Sequence, residues 1–186
     1  MGSVRIFTIG HSTRSFEAFA RLLQEQGIEQ LLDVRSYPTS RKFPHFSQEN
    51  LSRALEEMGV LYHHLKALGG FRKSHLQNSP NDGWESPGFR AYADYAMTEE
   101  FHTALDALVE SSSEANSVLM CAEADPHRCH RQLICDAVVG LREIPVVHIT
   151  EEGLIEHRMT AFARIEQGRL VYPKLQGRLP TGYSTD

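Results

Sequence analysis

The chain has 186 residues, 41% of them hydrophobic and 23% charged, with a formal net charge of −5. That is the composition of one globular domain with ample core, and the acidic total excludes broad electrostatic binding to nucleic acid. No apolar run approaches the roughly 20 residues that span a bilayer, so no membrane partner is expected. Three cysteines argue against a disulfide framework and for a reducing compartment. With no signal-peptide layout at the start, a cytoplasmic location is expected.

In chain order, Arg5–Gly10 reads as a buried strand stopped by glycine. Phe16, Phe19, Leu22 and Leu23 have helical spacing, with Ser15 as cap and Gly27 as terminator. Leu31–Arg35 is a short strand, Ser47–Gly59 a helix, and Val60–His64 a third strand. Leu68–Pro87 is rich in Gly, Ser, Asn, Pro and Asp and reads as a long loop, functional or mobile, with Gly83 and Gly88 as permitted hinges. Phe89–Met97 and Glu99–Ser111 read as helices, followed by a strand ending at Cys121. Asp125 and Pro126 then suit the cap and first turn of a helix reaching about Leu141, and Ile144–Ile149 is a fifth strand.

Strands alternating with helices imply an α/β single domain with an open, mostly parallel, Rossmann-like sheet covered on both faces. Residues 1–150 form this core, and 151–186 form a C-terminal extension packed on it or trailing from it. Within the extension, Ala161–Ile165 and Arg169–Tyr172 suggest a hairpin around Gln167 and Gly168, and Pro173–Asp186 an extended terminus.

The polar motifs share one placement. His11 and Ser12 follow the first strand, Asp33 and Arg35 end the second, Gly69, Gly70 and Arg72 follow the third, and Cys121 and Glu123 follow the fourth. Ligands of open parallel sheets sit outside the carboxyl ends of the strands, so these clusters are expected to converge on one crevice.

Residues Thr8–Ser12, Asp33 to Arg35 with Pro38, Phe46, Tyr62 with Leu68–Arg72, and Cys121 and Glu123 with Cys129–Arg131 together resemble the DUF488 family. The resemblance runs from about Ile6 to about Leu141. It implies a cytosolic, single-domain α/β protein and a site built from these residues. The family's name records an undefined activity, so the resemblance implies little about function.

The richest stretch is Cys121–Arg131, with two thiols, two imidazoles, two guanidiniums and the carboxylates Glu123 and Asp125. Cys129 is expected in the first turn of the helix, where Arg128, His130 and Arg131 favour a thiolate. Cys121 reads either as a ligand contact or as a buried structural thiol, and Cys135 as packing. The Cys121 to Arg128 spacing resembles the phosphate loop of thiol-dependent phosphatases, but it is one residue longer. Two carboxylates beside the thiolate would also repel phosphate, so that reading ranks below a general anion site. Cys121, Glu123, His127, Cys129 and His130, with His11, are competent metal ligands, yet their spacing matches no common zinc pattern and a metal is not favoured. Asp33 and Arg35 read equally as an internal salt bridge or as a base and an anion clamp. Gly69 and Gly70 either permit a turn or present backbone N–H groups to a phosphate. Tyr37, Phe43, Phe46, Phe71 and Trp84 either stack on bases or pin down loops.

These residues predict an enzyme acting by hydrolysis or group transfer on a phosphate-bearing nucleotide, nucleoside or nucleic-acid end. Arg35, Arg72, Arg128 and Arg131 hold the anion, Glu123 or Asp33 serves as base or nucleophile, and His11 and His130 position or transfer protons. No nicotinamide or NTP-binding motif is present, and the cofactor is otherwise open. The rival is a non-catalytic module that grips a small anion or a single-stranded end. A third reading is a redox-responsive thiol pair at Cys121 and Cys129, which requires Cα atoms within about 7 Å.

Overall fold

A computed structural model describes residues 4–175. β1 (Ile6–Gly10), β2 (Gln30–Asp33), β3 (Leu61–His64), β4 (Ser117–Cys121), β5 (Val146–Thr150) and β6 (Gly153–Glu156) form one sheet in the order β3-β2-β4-β1-β5-β6. The first five are parallel, and β6 pairs antiparallel to β5. The expected α/β architecture is thus observed. Central β1 and β4 are buried throughout, whereas β6 is exposed along its length. Pattern reading missed β6 because an exposed edge strand needs no apolar alternation.

Helices α1 (Phe16–Glu25) and α2 (Gln48–Glu57) cover one face of the sheet, and α3 (Pro87–Tyr95), α4 (Glu99–Glu114) and α5 (Arg131–Arg142) cover the other. Their starts follow local chemistry. Ser15 accepts from the Ala18 N–H, Ser86 from Phe89 and Thr98 from Phe101, and Glu99 and Glu100 complement the positive end of α4. Among the described residues no helix is long and apolar enough to cross a membrane.

Strand parity sorts the buried apolar side chains of the sheet to one core or the other, because successive residues point to opposite faces. Ile6, Leu32, Val34, Leu119, Cys121 and Val146 face the α3–α5 layer, while Phe7, Ile9, Leu31, Val118, Met120 and Ile149 face α1 and α2.

The long loop after β3 is tied down over its second half. Asn81, fully buried, donates to Asp94 at 2.7 Å and accepts from the Tyr172 N–H at 2.9 Å. Trp84 packs on Phe89, Phe162 and Tyr172. The expected hairpin is present as β7 (Arg164–Glu166) and β8 (Arg169–Val171), and β8 packs on α5. Of the expected extended terminus, 176–186 lies outside the described residues.

The helix expected from Pro126 is broken. Asp125 accepts from the His127 N–H and starts only a 3₁₀ turn, Pro126–Arg128. Cys129 is extended (φ −136°, ψ 151°), and α5 begins at Arg131. Cys129 therefore lies between two helical segments, not in a first helical turn. The kink has a visible cause: the Cys129 sulfur takes the Arg131 N–H at 3.5 Å, in place of an oxygen cap.

Candidate functional site

The residues expected in one crevice occupy two places. The first is a cavity of about 470 Å³ at the carboxyl ends of β1, β2 and β4. His11, Ser12 and Thr13 line it from β1, Arg35, Tyr37, Thr39, Ser40 and Phe43 from β2, and Ala122–Asp125 and Arg128 from β4. Gly10 makes this closeness possible. A Cβ there would lie 1.8 Å from the Glu123 carbonyl oxygen, so the loop after β4 rests directly on the β1 backbone. Next to it, Ser12 holds a left-handed backbone (φ 50°), a strained conformation for serine that turns the chain into the cavity wall.

Beneath the cavity floor lies a closed ionic network. Asp33 is fully buried and accepts from the Arg35 backbone N–H at 3.0 Å, Nε at 2.9 Å and Nη2 at 2.6 Å, and from the Tyr62 hydroxyl at 2.6 Å. Arg35 Nη1 donates to the Phe46 carbonyl at 2.8 Å. The internal salt bridge is therefore what this pair forms. Asp33 has no open lone pair for a substrate, and the charge of Arg35 is largely answered by Asp33. Burial and the Asp33 carboxylate together raise the already high Tyr62 pKa.

His11 stacks on Phe46 with ring centroids 4.4 Å apart. Its Nδ1 lies 3.0 Å from the Ser12 carbonyl, which can only accept, so Nδ1 carries the proton and Nε2 faces Arg35 Nη1 at 3.5 Å. Burial lowers its pKa to about 4, with Arg35 adding to the shift, so His11 is neutral at pH 7. The groups left over are exposed. The Glu123 carboxylate and the Arg128 guanidinium make no hydrogen bond or ion pair among the described residues, while Asp125 is partly used in capping. Tyr37, on the cavity wall, and Phe71 are 69% and 65% exposed, with ring centroids 6.4 Å apart.

The second place is on the opposite face of the sheet. Cys121, Cys129 and His130 bring their ligand atoms within 4.8 Å of one another. His130 Nε2 donates to the Val34 carbonyl at 2.8 Å, which leaves Nδ1 bare toward the sulfurs, 3.6 Å from Cys129 and 3.9 Å from Cys121. Cys121 hydrogen-bonds to Cys129, which lowers the Cys129 pKa and raises that of Cys121. Gly70 backs this group. A Cβ on it would meet His130 Nδ1 at 2.5 Å, so the glycine allows close approach to an imidazole. Gly69 does the same beside Ser36, whose hydroxyl accepts the Phe71 N–H.

Two expected anion clamps point elsewhere. Arg131 is buried, with Nη2 on the Glu123 and Ala124 carbonyls and Nη1 3.4 Å from the Thr8 hydroxyl, and so braces the loop from inside. Its long stem starts on α5, whose inward face leads under the loop. Arg72 lies over the Tyr95 ring at 3.8 Å and donates to the Ala67 carbonyl, outside the cavity lining. Trp84 and Phe46 serve packing, as loop-pinning aromatics. Thr13, Thr39 and Ser40 line the cavity without having been singled out in the sequence. Their only signal is a hydroxyl-rich stretch after each strand.

A family model described as domain of unknown function DUF488 matches residues 15–138. No curated protein and no solved structure matches the chain.

Proposed function

The chain belongs to the DUF488 family, whose activity is undefined, and from its geometry we propose that the cavity binds a phosphate-bearing nucleotide, nucleoside or nucleic-acid end and acts on it by hydrolysis or group transfer. The observation that carries this reading is the pairing of unengaged Arg128 and Glu123 in one cavity that is also lined by the hydroxyls of Ser12, Thr13, Thr39 and Ser40 and by the rings of Tyr37 and Phe43. A volume of about 470 Å³ falls in the usual range for small-molecule sites. Arg128 and the hydroxyls of Ser12, Thr13, Thr39 and Ser40 take the phosphate, since a guanidinium and O–H donors match its oxygens. Tyr37 and Phe71 offer stacking faces to a base at the rim. Glu123 is the base or nucleophile, because Asp33 is consumed by Arg35 and Tyr62. His11, neutral and with its ring nitrogens turned to the Ser12 carbonyl and to Arg35, shapes the cavity wall and carries no charge to the substrate. Arg35 and Asp33 fix the floor.

The experiment is a turnover screen of nucleotides and short oligonucleotides with Glu123→Gln and Arg128→Ala variants. Glu123→Gln is expected to abolish turnover while retaining ligand, and Arg128→Ala to weaken binding by tenfold or more, the loss of about 1.5–3 kcal/mol from a charged hydrogen bond. Unchanged turnover in Glu123→Gln contradicts the assignment of roles.

A second reading draws on the same geometry. The neutrality of His11 and the saturation of Asp33 leave few proton-transfer groups, which favours a non-catalytic binding module. In that case Glu123→Gln tightens binding by removing repulsion, and no product forms from any ligand that binds.

A further inference from the structure

We propose that Cys121, Cys129 and His130 form a site for one thiophilic divalent cation, with zinc the first choice. Three observations combine. The donors converge: Nδ1 of His130 lies 3.6 Å from the Cys129 sulfur and 3.9 Å from the Cys121 sulfur. A tetrahedral zinc with bonds of about 2.3 Å to sulfur and about 2.0 Å to nitrogen spaces such donors about 3.5 Å apart, so the group is close to that geometry already. The imidazole is also oriented. Its Nε2–H is held by the Val34 carbonyl at 2.8 Å, which is the outer-shell bond that fixes a metal-binding histidine with the other nitrogen bare. Finally, the chain bends to make the group. The break between the 3₁₀ turn and α5 places Cys129 opposite Cys121, and the missing Cβ of Gly70 makes room for the ring.

Charge supports the same assignment. Cys121 and Cys129 are 7% and 4% exposed and belong to the apolar layer under α5. Two thiolates there cancel a divalent cation, so the filled site is neutral with a neutral imidazole, and burial costs less than for any singly charged alternative. Binding releases the thiol protons to solvent. Among the described residues no fourth Cys, His, Asp or Glu joins the group, so the fourth position falls to water or a small ligand. The other Cys–His group, Cys135 with His148 and His157, is different. Both nitrogens of each histidine are already hydrogen-bonded, to Thr8, to each other and to Asp136.

The site joins the ends of β4 and β2 to the start of α5, and so braces the loop that carries Glu123 and Arg128. It does not depend on the function proposed for the cavity. The test uses full-length protein kept in a non-thiol reductant, stripped with a chelator, then titrated with Co²⁺ and Zn²⁺. One equivalent of Co²⁺ is expected to give a thiolate-to-cobalt charge-transfer band that Zn²⁺ abolishes, with protons released. Cys121→Ser, Cys129→Ser and His130→Ala are expected to weaken binding more than about tenfold, and Cys135→Ser to leave it unchanged. No binding by the parent protein, or binding without the charge-transfer band, overturns the proposal. Because the parent spectrum needs no variant, a variant that fails to fold does not shield it. Equal affinity in folded Cys121→Ser and Cys129→Ser proteins also overturns it.

Discussion

Two residues decide what the cavity can do, and both are decided by neighbours. Arg35 sits on the cavity wall, but Asp33 engages it through Nε and Nη2, so little of its charge reaches a ligand. Replacing Asp33 with Ala strands that guanidinium in the interior and is expected to cost about 3–5 kcal/mol, the usual loss when one partner of a buried pair is removed. Denaturant unfolding of Asp33→Ala checks this, and a loss below 1 kcal/mol would show that Arg35 is solvated after all. Gly10 is the second case. Its Cβ would lie 1.8 Å from the Glu123 carbonyl oxygen, a backbone atom that cannot swing aside. Gly10→Ala is expected to cost about 3 kcal/mol, at the upper end for overpacking, and to displace the loop bearing Glu123. A variant with parental stability and parental ligand binding contradicts the close packing. Neither effect was legible from residue types alone. Asp33 and Arg35 read equally as structure or as chemistry until Tyr62 arrived from β3 to take the last carboxylate position.

At the scale of elements, strand periodicity carried more than the motif reading drew from it. The five parallel strands and the first four helices stood in the sequence with bounds close to those observed, because buried strands and amphipathic helices leave strong periods. Parity along those strands also separates the site residues. Cys121 shares a face with Leu119 and Val34, whereas Asp33 shares one with Leu31 and Met120. Grouping all four strand ends into one crevice ignored this alternation. The break at Cys129 was not legible, because Asp125 and Pro126 are equally good at starting a 3₁₀ turn and an α-helix. Also hidden was the chain of buried groups between β1, β5 and α5. The Thr8 hydroxyl donates to His148 Nδ1 at 2.6 Å, His148 Nε2 to His157 Nδ1 at 2.9 Å, and His157 Nε2 to Asp136 at 2.8 Å. Asp136 also accepts from the Tyr172 hydroxyl at 2.9 Å, so one carboxylate ties α5 to the residues after β6 and β8. Asp136→Ala is expected to raise amide exchange across 153–172 well before the rest of the sheet, and uniform exchange across the chain would contradict this linkage.

For the molecule as a whole, the buried imidazoles set a pH dependence. Burial lowers His11 to about 4, and burial together with His157 lowers His148 to about 3, both below the ordinary 6.5. Each therefore binds a proton more readily when unfolded. Their contribution is complete above about pH 6.5 and is lost as the pH falls through the folded values. The melting temperature at pH 5 is expected to lie several degrees below that at pH 7.5, and His148→Asn to flatten the slope. Equal melting temperatures at the two values would place both rings in water. The cavity, held by a brace of buried charges, is proposed to take a phosphate-bearing ligand through Arg128. Thermal unfolding against a panel of nucleotides, nucleosides, short oligonucleotides and inorganic phosphate tests it most directly, in the parent protein and in Arg128→Ala, because a ligand bound only to the native state raises the midpoint. A rise is expected with a phosphate-bearing nucleotide or oligonucleotide in the parent, none with the matching nucleoside, and a much smaller rise in Arg128→Ala. No rise with any phosphate-bearing compound, or an equal rise in the variant, would contradict it.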